Sequence, residues 1–230
     1  MPDFAISPPA QPSVAIAGSK ARFPVRRIFC VGRNYADHAR EMGADPDREP
    51  PFFFTKPGDT VIDDGAALPF PSATSNLHYE AELVAAIGTG GRDIPAERAL
   101  AHVWGYAAGN DLTRRDLQAK AKEMRRPWDM GKGFDNSAPC GPLLPVAEHG
   151  HPDGSARLTC AVNGAVTQET TLDQMIWPLP DIISFLSAQV ELRPGDLIYT
   201  GTPAGVGALK AGDTCVVAIE GVGQVSTRIT

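Results

Sequence analysis

The 230-residue sequence has no long run of apolar side chains and no block of basic residues. No stretch approaches the roughly 20 apolar residues that a membrane-spanning helix requires. The N-terminus also lacks a basic segment followed by an apolar one. The formal net charge is −6 and Lys and Arg are scattered, which argues against a nucleic-acid surface. We therefore expect a cytoplasmic protein that binds neither membranes nor nucleic acid.

The sequence also lacks any close pair of cysteines. Cys30, Cys140, Cys160 and Cys215 are scattered along the chain, which argues against a zinc cage or a redox dithiol. Free cysteines are often buried, so we interpret all four as reduced residues in strands. A phosphate-binding signature of the P-loop or Rossmann kind is absent as well.

Turn-forming residues, by contrast, are abundant: the chain has 23 glycines and 21 prolines. Many turns favour a β-rich α+β fold with short helices. Hydrophobic residues make up 43% of the chain and charged residues 21%, which is typical of a globular protein. Residues 1–24 are rich in Pro, Ala and Ser and are interpreted as an N-terminal arm. Residues 25–230 are predicted to form a single catalytic domain.

Hydrophobic patterns and turn residues predict the order of the elements. Strands are predicted over residues 26–31, 52–56, 81–87, 103–108, 196–200, 214–219 and a last segment ending at 229. Residues 157–168 are predicted to be a hairpin, because Asn163-Gly164 is a favoured two-residue turn. Helices are predicted over residues 35–42, 95–101, 113–123 and 180–190. The helix over 113–123 is expected to be capped by Thr113 or Asp111.

Three carboxylates are candidates for a metal site. Glu80 and Glu82 are two residues apart, so on a strand both side chains would point to the same face. Asp111 ends another predicted strand. Oxygen ligands without His or Cys suit Mg²⁺, Mn²⁺ or Ca²⁺ better than zinc. The alternative is two solvated glutamates, but the apolar run that follows them makes an uncompensated pair of charges costly.

A histidine and a further glutamate are candidates for a general base. His38 and Glu41 are three residues apart on a predicted helix and would share a face. A carboxylate beside an imidazole fixes its tautomer and raises its basicity, which prepares it to take a proton from water. The alternative is an ordinary surface pair.

Cationic and amide side chains follow Asp111 in the sequence. Arg115 and Gln118 are also three residues apart on a predicted helix and could bind a substrate carboxylate or carbonyl. Lys132 lies between two glycines that permit close approach of the backbone. Taken singly, each cation could equally be a solvated surface charge.

Taken together, these segments resemble the fumarylacetoacetate hydrolase family, in the same order from about residue 26 to the C-terminus. The matching segments are residues 32–41 with His38 and Glu41, 78–83, 111–118, 132–134 and 195–203. The resemblance implies a mixed β-sandwich or roll with short helices, usually a homodimer. It implies Mg²⁺ or Mn²⁺ bound by the three acids, and water activated by His38 with Glu41 on a segment that orders as a lid. Substrate contacts are implied for Lys132, Arg115, Gln118 and Thr202.

The sequence departs from the larger family members at one point. Those members carry a further metal-binding acid before the base histidine, whereas residues 28–32 here read Ile-Phe-Cys-Val-Gly. The chain therefore resembles the short branch that cleaves acylpyruvates. Within that branch, residues 42–54 are similar to bacterial enzymes that act on fumarylpyruvate.

The expected reaction is metal-dependent hydrolysis of the C3–C4 bond of a keto-acid substrate, an acylpyruvate. His38 would deprotonate a water that attacks the C4 carbonyl, and Lys132 would add a positive charge near the developing enolate. Residues 52–54 would face the acyl group. Two alternatives stay open: decarboxylation of oxaloacetate, which needs no attack by water, and a metal-stabilised binding protein without turnover.

Overall fold

The computed structural model describes residues 4–37 and 50–230. Strands dominate the architecture and the helices are short, which confirms the predicted β-rich α+β fold. The site residues lie at the ends of strands in a central mixed sheet.

The central sheet has six strands in the order β12-β9-β8-β15-β3-β4. Strands β15 and β3 are parallel, and the other neighbours are antiparallel. In chain order its strands are β3 (Arg27–Gly32), β4 (Phe52–Lys56), β8 (Ala81–Ile87), β9 (Val103–Asn110), β12 (Leu144–Pro145) and β15 (Asp196–Tyr199). The predicted strands over 52–56 and 81–87 have the observed bounds.

Both faces of the central sheet are buried. Every residue of β8 is buried, and its side chains alternate between two apolar cores. Leu83, Ala85 and Ile87 belong to the larger core, whereas Val84 and Ala86 belong to the smaller one. This alternation follows from the period of two in a strand. A charged side chain on β8 therefore has no solvent-exposed face to occupy.

A second sheet of five strands packs on the larger core, in the order β14-β13-β17-β18-β6. Its strands are β6 (Ala66–Leu68), β13 (Arg157–Val162), β14 (Ala165–Thr171), β17 (Thr214–Ile219) and β18 (Gly223–Ile229). The predicted hairpin is present, and Asn163 and Gly164 form its turn with φ of 52° and 84°.

All four cysteines are free and buried, as predicted. Two of them are nevertheless neighbours in space. The Sγ atoms of Cys160 on β13 and Cys215 on β17 lie 3.5 Å apart. This contact could not be predicted from the sequence, since it depends on the pairing of two strands that are distant along the chain.

Three small sheets complete the strand structure of residues 4–37 and 50–230. They are β10 (Thr113–Arg114) with β7 (Leu77–Tyr79) and β16 (Gly207–Leu209), β1 (Ser13–Ala15) with β2 (Arg22–Pro24), and β5 (Val61–Ile62) with β11 (Ala138–Pro139). The N-terminal arm contains the two short strands β1 and β2. Its Val14 and Phe23 are buried in the smaller core. The division of the chain into an arm and a catalytic domain stays a prediction.

The described α-helices are short. They are α1 (Ala96–Ala99), α2 (Arg115–Glu123), α3 (Asp129–Lys132), α4 (Val146–His149) and α5 (Leu179–Gln189). Three 3₁₀ turns accompany them, at Gly58–Thr60, Leu100–His102 and Leu172–Gln174. No helix in the described part of the chain is long and apolar enough to cross a bilayer.

Two helix predictions need comment. The helix predicted over 113–123 begins only at Arg115, because Thr113 and Arg114 pair with β7. The predicted cap by Thr113 or Asp111 is wrong, since the helix has no side-chain cap hydrogen bond. The helix predicted over 35–42 is described only at residues 36 and 37, which are helical; the rest lies outside the described residues.

A buried aspartate fixes the parallel pair at the centre of the sheet. Asp196, fully buried at the start of β15, is 3.0 Å from guanidinium nitrogens of both Arg26 and Arg27. Because β15 and β3 run in the same direction, their carboxyl ends meet at one edge of the sheet. That edge carries Arg33 after β3 and Thr200 after β15, and the candidate site is built there.

Candidate active site

Glu80, Glu82 and Asp111 converge at the edge of the central sheet. Glu82 lies in β8, Glu80 directly precedes that strand, and Asp111 directly follows β9. Strands β8 and β9 are antiparallel, so the start of one meets the end of the other. Each acid offers a carboxylate oxygen, and these oxygens lie within 4.8 Å of one another. Within residues 4–37 and 50–230, this is the only such group of three His, Cys, Asp or Glu residues.

Backbone contacts hold two of the acids in register. The Asn110 side-chain oxygen accepts a hydrogen bond from the Glu80 amide at 3.0 Å. The Asp111 amide donates to the Glu80 carbonyl at 2.9 Å. The two carboxylates are thus positioned by the main chain as well as by their side-chain partners.

Glu82 is almost completely enclosed, like Asp111. Glu82 is 1% exposed, and burial together with the charges of Asp111 and Glu80 raises the pKa of its carboxyl well above the ordinary value. Its Oε2 accepts a hydrogen bond from the Gly201 amide at 2.8 Å. Gly201 has φ of +101°, and a Cβ there would lie 2.7 Å from the Asn34 Cβ, so this turn requires glycine.

Lys132 lies between two of the acids. Its Nζ is 2.7 Å from Glu80 Oε2 and 2.6 Å from Asp111 Oδ2. Burial alone would lower the pKa of Lys132, but the charges of Asp111 and Glu80 outweigh it and raise that pKa. The predicted catalytic lysine is therefore a buried cation next to the acids.

A second buried lysine was missed from the sequence. Lys56 Nζ lies 2.8 Å from Asp111 Oδ1 and donates to the Leu112 carbonyl at 3.1 Å and to the Lys132 carbonyl. A signal for it was present, since Phe52, Phe54 and Lys56 alternate along β4 and share one face. The lysine therefore lies on the face that the two phenylalanines present to the pocket.

Arg115 and Gln118 extend the charged network along one face of α2. The Arg115 guanidinium donates to Glu80 Oε1, and its Nη1 donates to Gln118 Oε1 at 2.7 Å. Gln118 is buried against Gly131, where a Cβ would lie 2.9 Å from the Gln118 amide nitrogen. The two residues predicted to bind substrate thus contact each other, and Arg115 also contacts Glu80.

Thr202 reaches the same pocket from the turn after β15. Its hydroxyl accepts a hydrogen bond from Gln168 Nε2 at 2.9 Å, and Gln168 Oε1 accepts from the Ala81 amide at 3.0 Å. Gln168 therefore links the Thr202 turn to the start of β8.

One pocket contains most of the predicted site. Its lining includes Glu80, Glu82, Arg115, Gln118, Lys132 and Thr202. Phe52 and Phe54, from the segment predicted to face the acyl group, line the pocket. Their contact with a substrate stays a prediction. The lining also includes Arg33, Lys122 and Trp128, which the sequence did not single out.

The predicted base lies outside the described part of the chain. His38 and Glu41 both belong to the segment 38–49 between β3 and β4. The role of this pair stays a prediction. Its neighbours in sequence, residues 33–37 and 50–52, lead to and from the pocket edge.

The donor set fits a hard divalent cation. Three close carboxylates, with no His or Cys among them, match the oxygen ligands that Mg²⁺ and Mn²⁺ prefer. Three like charges in a buried place also require cationic neighbours, because an uncompensated buried carboxylate is costly. Two lysines and an arginine supply part of that charge, and the carboxylates could hold a divalent metal in addition.

Comparisons with known proteins agree with this arrangement. A crystal structure of fumarylpyruvate hydrolase from Pseudomonas aeruginosa, in complex with Mn²⁺ and pyruvate, is 54% identical. It covers 99% of each chain with a TM-score of 0.96. A fumarylpyruvate hydrolase from a Ralstonia species is 43% identical over 190 residues, which is 82% of this chain and 98% of that protein.

A relative with a different named activity is nearly as similar. A mitochondrial oxaloacetate tautomerase from Rattus norvegicus is 40% identical over 204 residues, which is 89% of this chain and 91% of that protein. The family described as "Fumarylacetoacetate (FAA) hydrolase C-terminal" matches residues 27–230. That match covers the central sheet, all three acids and every residue of the pocket. The chain therefore belongs to the fumarylacetoacetate hydrolase family.

Proposed function

We propose that the protein is a metal-dependent hydrolase that cleaves the carbon–carbon bond of an acylpyruvate, with fumarylpyruvate as its substrate. The observation that carries this proposal is the group of three buried carboxylates, two of which, Glu80 and Glu82, line one pocket together with Arg115 and Lys132. The similarity to fumarylpyruvate hydrolases, one of them crystallised with Mn²⁺ and pyruvate, supports the choice of substrate.

Glu80, Glu82 and Asp111 are the residues that would hold Mg²⁺ or Mn²⁺. When bound, such an ion polarises a keto oxygen and stabilises the negative charge that develops on the pyruvyl half. The Gly201 amide keeps the Glu82 carboxylate aimed at the other acids. Lys132 adds a second positive charge on the same side of the pocket.

The helix α2 supplies the groups that orient the substrate. Arg115 carries a planar fork of donors that suits a carboxylate. Its contact with Gln118 aligns both side chains before the substrate arrives. Thr202 offers a hydroxyl from the opposite strand turn, so the pyruvyl half would be held from two sides.

His38, oriented by Glu41, would take a proton from water as the water oxygen attacks the C4 carbonyl. The C3–C4 bond then breaks, C4 becomes the carboxylate of the released acid, and C3 takes a proton to give pyruvate. For fumarylpyruvate the products are fumarate and pyruvate. Atoms balance with one water consumed per turnover.

The alternative activities on oxaloacetate differ from acylpyruvate hydrolysis in the bond that changes. A tautomerase moves a proton and a decarboxylase releases CO₂, and neither consumes water in the attack on a carbonyl. The relatives that act on oxaloacetate are described as tautomerases rather than decarboxylases. We also propose a homodimer in the cytoplasm, on the family resemblance.

Replacing Glu82 by Gln should remove metal binding and turnover together. The change keeps the side-chain shape and an acceptor for the Gly201 amide, so the fold should survive. Even outer partners of metal ligands cost about 10- to 100-fold in affinity, so we expect at least about 100-fold weaker Mn²⁺ binding. Calorimetric titration with Mn²⁺ and the loss of fumarylpyruvate enol absorbance measure both effects. The exposed Glu123→Gln is the matched control, and wild-type Mn²⁺ affinity in Glu82→Gln would refute the site.

Replacing His38 by Ala should separate chemistry from metal binding. General bases contribute about 10²- to 10⁴-fold to rate, so hydrolysis of fumarylpyruvate should fall by that factor. Mn²⁺ affinity should stay within a few-fold of wild type in the same titration. The exposed His149→Ala serves as control. Loss of Mn²⁺ binding, or unchanged hydrolysis, would contradict the role assigned to His38.

Replacing Lys56 by Met should destabilise the metal-free protein. Removing one partner of a buried ion pair typically costs about 3 kcal/mol or more, because the remaining charge is left uncompensated. Urea unfolding in the presence of a chelator measures the loss, with the exposed Lys20→Met as control. The loss should shrink when Mn²⁺ is added, since the ion supplies positive charge to the acids. A change of less than about 0.5 kcal/mol, as is usual at surface sites, would show that Asp111 does not depend on Lys56.

A further inference from the structure

Strand β14 contains one buried glutamine that the proposed mechanism does not use. The strand lies at the edge of the five-stranded sheet, and the residues on either side of this glutamine, Thr167 and Glu169, are exposed. Gln168 itself is 2% exposed. A buried amide requires hydrogen-bond partners, because an unpaired polar group in the interior is costly. The partners of Gln168 therefore indicate what this residue does.

A β-bulge precedes Gln168 in the strand. The register of β14 against β13 shifts at this point, so that Thr167 is an extra residue in β14. Bulges redirect side chains and are common beside active sites. The turn after β15 packs directly on the bulge, since a Cβ at Gly205 would lie 2.5 Å from the Thr167 carbonyl oxygen. The bulge therefore brings Gln168 next to the turn that carries Thr202.

Gln168 forms hydrogen bonds with two segments of the site. Its Oε1 accepts from the amide of Ala81, the residue between the two glutamates of the candidate metal site, at 3.0 Å. Its Nε2 donates to Thr202 Oγ1 at 2.9 Å and to the Pro203 carbonyl oxygen at 2.8 Å. One side chain thus joins the strand of the acids to the turn of Thr202.

The orientation of the Gln168 amide follows from these partners. A side-chain amide has one acceptor oxygen and two N–H donors. The Ala81 amide is a donor and must face the oxygen, whereas the Pro203 carbonyl is an acceptor and must face the NH₂ group. A flipped amide would place two donors together at Ala81 and two acceptors together at Pro203. The NH₂ group is therefore fixed against Thr202.

The fixed amide determines the direction of the Thr202 hydroxyl. A hydroxyl has one hydrogen and two lone pairs. One lone pair accepts from Gln168 Nε2, so the hydrogen points away from Gln168. Within the described part of the chain this hydroxyl donates to no acceptor, and Thr202 lines the pocket of the acids. Thr202 therefore offers the pocket a hydrogen-bond donor.

We propose that Gln168 is a positioning residue, which makes Thr202 a hydrogen-bond donor to the substrate. The inference rests on the proposed function and names the kind of group that Thr202 binds. That group is an acceptor, namely a carboxylate or keto oxygen of the pyruvyl half, and not a hydroxyl or amine that would itself donate. Gln168 acts on the substrate through Thr202.

Replacing Gln168 by Glu tests this assignment, because the change keeps an acceptor for the Ala81 amide and removes the NH₂ group. In either protonation state the new carboxyl offers an oxygen to the Thr202 hydroxyl, whose hydrogen then turns away from the pocket. One hydrogen bond corresponds to about five- to tenfold in binding, so KM for fumarylpyruvate should rise by that factor. Mn²⁺ affinity, measured by calorimetric titration, should stay within a few-fold of wild type.

The variant Thr202→Val shows whether Gln168 acts through the hydroxyl. It should raise KM by about tenfold or more, because a hydrogen bond to a charged group is lost. In the double variant, Gln168→Glu should add less than about twofold, since residues that act through one another are not additive. Thr202→Ser keeps the hydroxyl and should retain KM within a few-fold of wild type.

Gln224→Glu makes the same chemical change at an exposed position of the same sheet and should leave KM unchanged. An unchanged KM in Gln168→Glu would overturn the role of Gln168 while the proposed function stands. Losses that multiply in the double variant would overturn it as well, because they would show a structural effect independent of Thr202. If Gln168→Glu does not fold, Gln168→Met is measured in the same cycle with the same criteria.

Binding of pyruvate to the Mn²⁺-loaded protein gives a second readout that needs no turnover. Wild-type protein that binds pyruvate but does not hydrolyse fumarylpyruvate would reject the proposed function alone. In that case weaker pyruvate binding by Gln168→Glu supports the role of Gln168, and unchanged binding overturns it. Wild-type protein that neither binds pyruvate nor hydrolyses fumarylpyruvate would reject both proposals.

Discussion

The burial of three carboxylates in one place is the constraint on which the site depends. Glu80, Glu82 and Asp111 lie where the central sheet has no solvent-exposed face, and like charges in such a place are costly unless cations offset them. Lys132 and Lys56 each contact Asp111, and a bound divalent ion would complete the balance. The arrangement is costly in stability, but Lys132, which offsets two of the acids, also lines the pocket.

Strand β4 and helix α2 extend the pocket away from the three acids. Strand β4 carries Lys56, which contacts Asp111, and also Phe52 and Phe54, which line the pocket. All three residues lie on one face of the strand. Helix α2 runs from Arg115 beside Glu80 to Lys122 at the far end. One strand and one helix thus connect the three acids with the rest of the pocket lining, and a shift in either would disturb both.

The sequence allowed the acids and the strand that carries Glu82 to be predicted, because a period of two and a buried run are local signals. It also allowed the turn at Asn163 to be placed. The late start of α2 could not be predicted, since Thr113 is taken by pairing with His78, a partner distant in sequence. Lys56 and Lys122 were missed for a similar reason: the alternation along β4 indicates the face on which Lys56 lies, but only the packing of distant segments gives either lysine its charged neighbours.

The central claim is that the three acids hold a divalent ion. A crystal structure of the protein soaked with Mn²⁺, with data collected at a wavelength where manganese scatters anomalously, tests it most directly. We predict one anomalous peak per chain, at about 2–2.5 Å from carboxylate oxygens of Glu80, Glu82 and Asp111. An anomalous peak at another place in the protein, or no anomalous peak at the three acids, would contradict the account.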